Sequence, residues 1–269
     1  MMPNPEQHKD PFSMQHLLAR LPRTLIGALA LAALLSAAVP TARAADGTMT
    51  PAQRKAVENV VRDYLRQNPE VLVEAIRALR AKEEARQAAE QEAAIAHLAK
   101  ELHEDPLSPV TGNPDGDVTV VEFFDYRCGY CKQIFPEVQK LLKDDGKIRY
   151  VFKEFPILGP ESVVAARVAT AAWITDPDKY MLLHTTLMAL RGGLTEAKLV
   201  QAATDVGYDA DALRAAMKDD KVQQSLARNM ALAQALGVRS TPTFVVGTTV
   251  ISGARPDALL EAVAAARGG

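Results

Sequence analysis

The sequence predicts an α/β fold in which N-terminal helices precede a strand–helix–strand unit, a helical insertion and a closing hairpin with its helix. Three observations carry this. Residues 118–124 (Val-Thr-Val-Val-Glu-Phe-Phe) and 148–155 read as buried strands on either side of one helical segment, a βαβ unit. Residues 160–237 are helical throughout, with Asp176-Pro177 and Thr195 as helix starts and Gly192-Gly193 and Gly207 as stops. Strand character then returns at 243–246, turns through Gly247 and pairs as 249–251, before a last helix near Pro256.

The N-terminus carries an export signal. Arg20 and Arg23 precede an apolar run over 25–39, and Ala42-Arg43-Ala44 offers small residues at the spacing of a signal-peptidase site. Residues 1–44 are therefore expected to be a cleaved signal peptide. A retained membrane anchor is the alternative, but a fifteen-residue run ending in Pro40 is short of the roughly 20 residues a span needs. Cleavage would leave 225 residues with 27 basic and 31 acidic side chains, a net charge of −4. Nothing in that balance suggests a nucleic-acid partner, and no polybasic run suggests a membrane surface. The expected product is an exported, soluble protein without membrane insertion after signal cleavage.

Thr50-Pro51 and Asn68-Pro69 each pair a helix cap with a proline in the first turn. Val57, Val60, Val61, Tyr64 and Leu65 recur at helical spacing in the first helix. The second is expected to run unbroken to about Glu104, roughly 36 residues and on the order of 54 Å. Its positions Ala81, Ala85, Ala88, Glu92, Ile95, Ala99 and Leu102 form a heptad seam with one polar member. So thin a seam has little to bury by itself, and self-association is favoured over packing on its own domain. Residues 45–104 are thus expected to be an oligomerisation segment, with 105–117 as a linker and the domain proper at 105–269.

The chain has two cysteines, in Cys128-Gly129-Tyr130-Cys131, between a strand end and a helix start. An exported domain of this size does not need a disulfide to fold, so the pair calls for another explanation. At a helix N-terminus the free backbone N–H groups favour a thiolate, which makes Cys128 the nucleophile. Cys131, one turn inward, can attack the mixed disulfide and release the substrate. Gly129 eases the turn between them, and Arg127 either adds positive potential or is simply solvated. Pro136 interrupts the same helix and should bend it. Downstream, Ser240-Thr241-Pro242-Thr243 places a proline before a buried strand, which makes sense if its peptide bond is cis. Thr241 would then offer its backbone to an extended substrate. Gly129, Tyr130, Thr241 and Pro242 are the candidate substrate-binding residues. A zinc site would need about four ligands, and the histidines left after cleavage, His97, His103 and His184, are scattered. No metal or other cofactor is expected.

The run Val-Glu-Phe-Phe-Asp-Tyr-Arg-Cys-Gly-Tyr-Cys at 121–131, the helical insertion and Thr241-Pro242 resemble the DsbA-like branch of the thioredoxin superfamily over residues 106–267. Asp63-Tyr64-Leu65 and Asn68-Pro69-Glu70-Val71-Leu72 resemble the subgroup with an N-terminal oligomerisation segment, which includes the suppressor-of-copper-sensitivity C proteins. The resemblance implies a thioredoxin fold with a helical subdomain inserted over the site, and a periplasmic home. It implies that Glu122 is a buried acid handling the proton of Cys131, where the plain alternative is a strand-edge carboxylate facing water. Lys153 is expected to be solvated rather than paired with Glu122. Trp173 and Met181, Met188 and Met230 are expected to pack in the core, and His184 to be a satisfied helix residue.

Strongly oxidising members carry Cys-Pro-His-Cys and a valine before the cis-proline, whereas Gly-Tyr and Thr241 here look like the disulfide isomerases. A neutral tyrosine stabilises a thiolate less than a histidine does, which makes the pair less oxidising. The expected function is an oligomeric disulfide isomerase or reductase acting on unfolded or misoxidised exported proteins, kept reduced by a membrane thiol reductase. The alternatives are a dithiol oxidase, and a copper-binding or chaperone protein without redox turnover.

Overall fold

The computed structural model describes residues 49–268, so the expected signal peptide lies outside the described residues. The chain divides into two units, up to Val71 and from Leu72 onward.

In the first unit, helix α1 spans Pro51–Gln67. Thr50 closes a capping box: its Oγ1 accepts the Gln53 N–H at 3.3 Å, and Gln53 Oε1 accepts the Thr50 N–H at 3.0 Å. Val57, Val60, Val61 and Tyr64 form an apolar stripe at i, i+3, i+4 and i+7, and all four are exposed.

Helix α2, Glu70–His97, carries the chain into the second unit, and α3, Ala99–His103, follows. The unbroken helix expected to residue 104 is thus interrupted at Leu98 (φ −100°, ψ 16°). The hydrogen-bond ladder almost survives, since Leu98 N–H reaches Ala94 O and Leu102 N–H reaches Leu98 O, both at 2.9 Å. Packing accounts for the change of course. Ile95 and Leu102 are buried in a cluster with Val121, Phe123, Val151, Val245, Leu232 and Leu236. The C-terminal end of the heptad seam therefore packs on its own domain, while Ala81, Ala85, Ala88 and Glu92 stay exposed.

The sheet has five strands in the order β1-β3-β2-β4-β5. They are β1 (Val110–Gly112), β2 (Val118–Phe124), β3 (Ile148–Glu154), β4 (Thr243–Val246) and β5 (Thr249–Ser252). β2 and β3 are parallel, joined by α4 (Gly129–Asp145), and every other pairing is antiparallel. β1 lies within the stretch expected to be a linker. At three residues, between Pro109 and Gly112, it is too short for an alternating pattern to show.

Both faces of β2 are covered. Val118, Val120 and Phe124 join the larger cluster with Cys131, Ile134 and Tyr150, whereas Val121 and Phe123 point to the cluster that holds Ile95 and Leu102. The insertion consists of α5 (Pro160–Thr175), a 3₁₀ turn (Pro177–Lys179), α6 (Tyr180–Ala189), α7 (Glu196–Asp205), α8 (Ala210–Ala216) and α9 (Asp220–Ala235). Trp173 is half-buried, edge-on to Tyr180, and its Nε1 donates to Pro106 O at 3.1 Å. Helix α10, Pro256–Gly268, closes the fold.

Candidate active site

Strand β2 ends at Phe124, and a three-residue turn delivers Cys128 to the N-cap of α4. Asp125 builds that turn. It is buried, its Oδ1 accepts the Arg127 N–H at 2.7 Å, its Oδ2 accepts the Leu158 N–H at 3.0 Å, and its carbonyl accepts the Cys128 N–H at 3.0 Å. Arg127 is more than solvated: it donates to Leu158 O at 2.6 Å and pairs with Glu161 at 3.2 Å.

The two free thiols differ sharply. Cys128 Sγ accepts the Cys131 N–H at 3.3 Å, as a capping residue does. Its pKa is lowered to about 6, chiefly by the hydrogen bond from Cys131, against the opposing effect of burial, with Thr241 and the N–H groups of Cys131 and Tyr130 adding to it. Cys131 is fully buried, and burial first, then the hydrogen bond to Cys128 and the charge of Glu122, push its thiol far up. One sulfur is poised as a thiolate and the other is held as a thiol.

Gly129 takes the first helical position with ordinary backbone angles, and a Cβ there would meet nothing within 4 Å. The turn between the cysteines therefore does not require glycine. Tyr130 is 65% exposed beside the pair. Across from them the Thr241–Pro242 peptide is cis, and Cys128 in its protonated form donates to Thr241 O at 3.2 Å. Pro242 O accepts the Gly253 N–H at 2.8 Å, which ties this turn to the end of β5.

Behind the cysteines, Glu122 is buried on the sheet face that also carries Val120 and Phe124, and its Oε2 accepts from the Tyr150 hydroxyl at 2.7 Å. Burial raises its pKa to about 7, with the Tyr150 hydrogen bond opposing and the charge of Cys128 reinforcing. Lys153 is neither solvated nor paired with Glu122. The register sets Glu122 opposite Phe152 and Phe123 opposite Lys153, so the lysine projects from the other face. There it is fully buried, donating to Glu101 O at 2.6 Å and Ser108 Oγ at 2.8 Å, and burial lowers its pKa to about 8.

Two further buried groups flank the site. Glu154, next along the face of Glu122, is pushed well up from the ordinary carboxylate range by burial. His184 accepts or donates at Nδ1 with the Tyr126 hydroxyl at 2.8 Å, among Phe124, Phe135 and Phe152, and burial lowers its pKa to about 3. Asp125 stands in the motif itself. Glu154 follows Lys153 at the end of a strand that also carries Arg149, so it lacks the signal of a lone carboxylate in an apolar strand that singled out Glu122.

A thioredoxin family model matches residues 104–265, and the model of the copper resistance protein ScsC N-terminal domain matches residues 53–86. Among solved structures, BcfH of Salmonella enterica Typhimurium is 33% identical, with a TM-score of 0.68 over 80% of this chain and 96% of that one. ScsC of Proteus mirabilis in a transitional conformation is 32% identical, with a TM-score of 0.60 over 81% and 98%. Disulfide bond formation protein D of Bacillus subtilis is 30% identical over 53% of this chain and 69% of its own length. The chain also matches the Na(+)/H(+) antiporter NhaA 1 of Salinispora arenicola at 35% identity, but spans only 22% of that protein's length. No helix among the described residues is long and apolar enough to cross a membrane. The matches reach both the dithiol domain and the helices before it, and the chain belongs to the thioredoxin family, in its DsbA-like, ScsC-related branch of thiol:disulfide oxidoreductases.

Proposed function

We propose that this chain is an oligomeric periplasmic oxidoreductase that isomerises or reduces wrongly paired disulfides of exported proteins. The observation that carries the chemistry is the unequal pair of sulfurs beside Thr241–Pro242. The Cys128 thiolate attacks one sulfur of a substrate disulfide, and the other sulfur leaves as a thiolate. In isomerisation a substrate thiolate then displaces Cys128 and a new substrate disulfide forms, with no net electron transfer. In reduction Cys131 loses its proton to Glu122 and attacks Cys128 Sγ. The second substrate thiolate leaves, the Cys128–Cys131 disulfide forms, and the substrate gains two electrons. Turnover then requires a thiol reductase as donor, which we place in the membrane. Gly129-Tyr130 between the cysteines supports isomerisation over oxidation, because neither residue places a positive charge near the thiolate, and Thr241 before the proline resembles the isomerases. Thr241 and Pro242 would hold an extended substrate, with Tyr130 at the mouth of the site.

The second reading is a dithiol oxidase. The lowered Cys128 pKa favours the reduced form, which is what makes a dithiol pair oxidising. Two measurements separate these. Cys131→Ser is expected to accumulate mixed disulfides with other proteins, released by dithiothreitol, and the reduced native chain to refold a scrambled disulfide protein. Trapping without refolding, together with rapid oxidation of reduced peptides, supports the oxidase. Absence of both trapping and refolding overturns redox turnover altogether and supports a binding protein.

A further inference from the structure

The loop 190–193, between α6 and α7, is tied to the active-site helix by a hydrogen bond and lies close to Glu161 on its other side. Lys132, whose N–H bonds Cys128 O at 3.2 Å, extends its Nζ to Leu190 O. From the other side Arg127, adjacent to Cys128, pairs with Glu161 at 3.2 Å. Glu161 Oε1 in turn lies 3.1 Å from the place a Cβ on Gly193 would occupy. Lys198, in the first turn of α7, closes the loop by donating to Arg191 O.

Lys132, Arg191 and Lys198 therefore share one ledge next to the dithiol. Arg191 is exposed and the two lysines are half-buried. Their ammonium groups rest on main-chain carbonyls, which are neutral and leave the positive charge in place. Among the described residues none of the three is in an ion pair within 4.0 Å. Their mutual proximity shows in Lys132, whose pKa is lowered by burial and then by the charges of Arg191 and Lys198. The carboxylate acting against these is Asp125, which is buried and engaged by the N–H groups of Arg127 and Leu158. Glu161, on the same rim, is committed to Arg127. The chain as a whole carries −2, so the ledge runs against the average charge of the protein.

We propose that this ledge docks an acidic stretch of the polypeptide whose disulfide is exchanged at Cys128, so that the preferred substrates carry Asp or Glu close to their cysteines. The inference rests on the reading of Cys128 as a nucleophile toward protein disulfides. A cationic ledge acts over several ångströms before contact and raises the encounter rate of an anionic partner. Because it is open to solvent, salt screens it. Glutathione disulfide carries carboxylates too, and the test separates it from a polypeptide.

Four disulfides are offered to the reduced full chain: glutathione disulfide, and three peptides identical except for three Glu, three Gln or three Lys flanking the disulfide. The reading is the second-order rate of thiol release. At low ionic strength the Glu peptide is expected to react about tenfold faster than the Gln peptide, and the Lys peptide slower. In about 0.5 M salt the three rates should converge. The double substitution Arg191→Glu with Lys198→Glu should reverse the order while leaving the Gln rate and the alkylation of Cys128 by neutral iodoacetamide unchanged. Should the double variant misfold, the exposed Arg191→Glu alone is expected to reduce the Glu-over-Gln ratio about threefold. Equal peptide rates at low salt, an order unaltered in the variants, or a preference seen with glutathione disulfide but not with the peptides overturns the proposal. A Gln peptide that does not react at all overturns the exchange activity itself, and the docking inference with it.

Discussion

Cys128 and Cys131 are the same residue three positions apart, and their surroundings make them a thiolate and a thiol. Glu122, buried behind them with a pKa of about 7, is the group we propose takes the Cys131 proton during resolution. Its folded pKa lies above the ordinary carboxylate value, so its ionised form is disfavoured, and the cost builds as pH rises from about 4.5 to about 7 and is complete above that. Glu122→Gln is therefore expected to leave stability unchanged near pH 4 and to increase it at pH 8 by on the order of 1–3 kcal/mol in urea denaturation. The same variant should keep a Cys128 alkylation midpoint near pH 6 and slow the resolving attack of Cys131 about tenfold or more in stopped-flow mixing. Unaltered resolution would remove Glu122 from the proton path. The cysteines and Thr241-Pro242 were legible in the sequence because their chemistry is written in residue type and spacing. Asp125 and Glu154 were not singled out, and His184 was read only as a satisfied helix residue, because their surroundings come from burial and from side chains brought in by other elements. Lys153 was misplaced for a related reason: which face of a strand a residue takes depends on pairing register.

At the scale of elements, the α2–α3 stretch is where the sequence pattern and the structure part. The heptad seam suggested one long helix available to a partner, yet Ile95 and Leu102 serve the domain's own second cluster. A heptad pattern records which face is apolar and is silent about what covers it. The strands β2 to β5 and the run of insertion helices followed the sequence signals closely, because buried strands of four to seven residues and capped helices carry strong local patterns. β1 had too few residues to register. If residues 95–103 belong to the domain, Leu102→Ala should cost about 2–5 kcal/mol in urea denaturation, as a fully buried leucine does. Ala88→Gln, on the exposed part of the same seam, should change stability by less than about 0.5 kcal/mol. Equal effects at the two positions would place the whole helix on one footing and put the boundary of the domain back near residue 105.

For the molecule as a whole, the N-terminal helices present a problem of burial that the described residues alone do not solve. None of the 17 residues of α1 is buried. An isolated helix of that length is marginal in water, and its stability has to come from something packed on its apolar stripe. That stripe, Val57, Val60, Val61 and Tyr64, is 46–68% exposed, and on α2 Leu72, Val73, Ile76 and Leu79 are 48–67% exposed. Each helix by itself exposes four large apolar side chains, and exposed apolar surface of that kind marks a site of association. The partner we propose is a second copy, since this stretch matches the ScsC N-terminal domain and every copy carries the same complementary faces. Light scattering of the protein lacking its expected signal peptide should then give a mass that is a whole multiple of one chain. Val60→Asp combined with Ile76→Asp should reduce it to a single chain, because a charge buried in such an interface has no counterion. The same variant should retain the Cys128 alkylation midpoint near pH 6, which depends only on groups around α4 and Thr241. Its refolding of a scrambled substrate should fall, as the shared cleft that the assembly offers an unfolded chain is lost. A single-chain mass for the native protein would remove self-association. An oligomer that survives the double substitution would move the interface elsewhere on the chain.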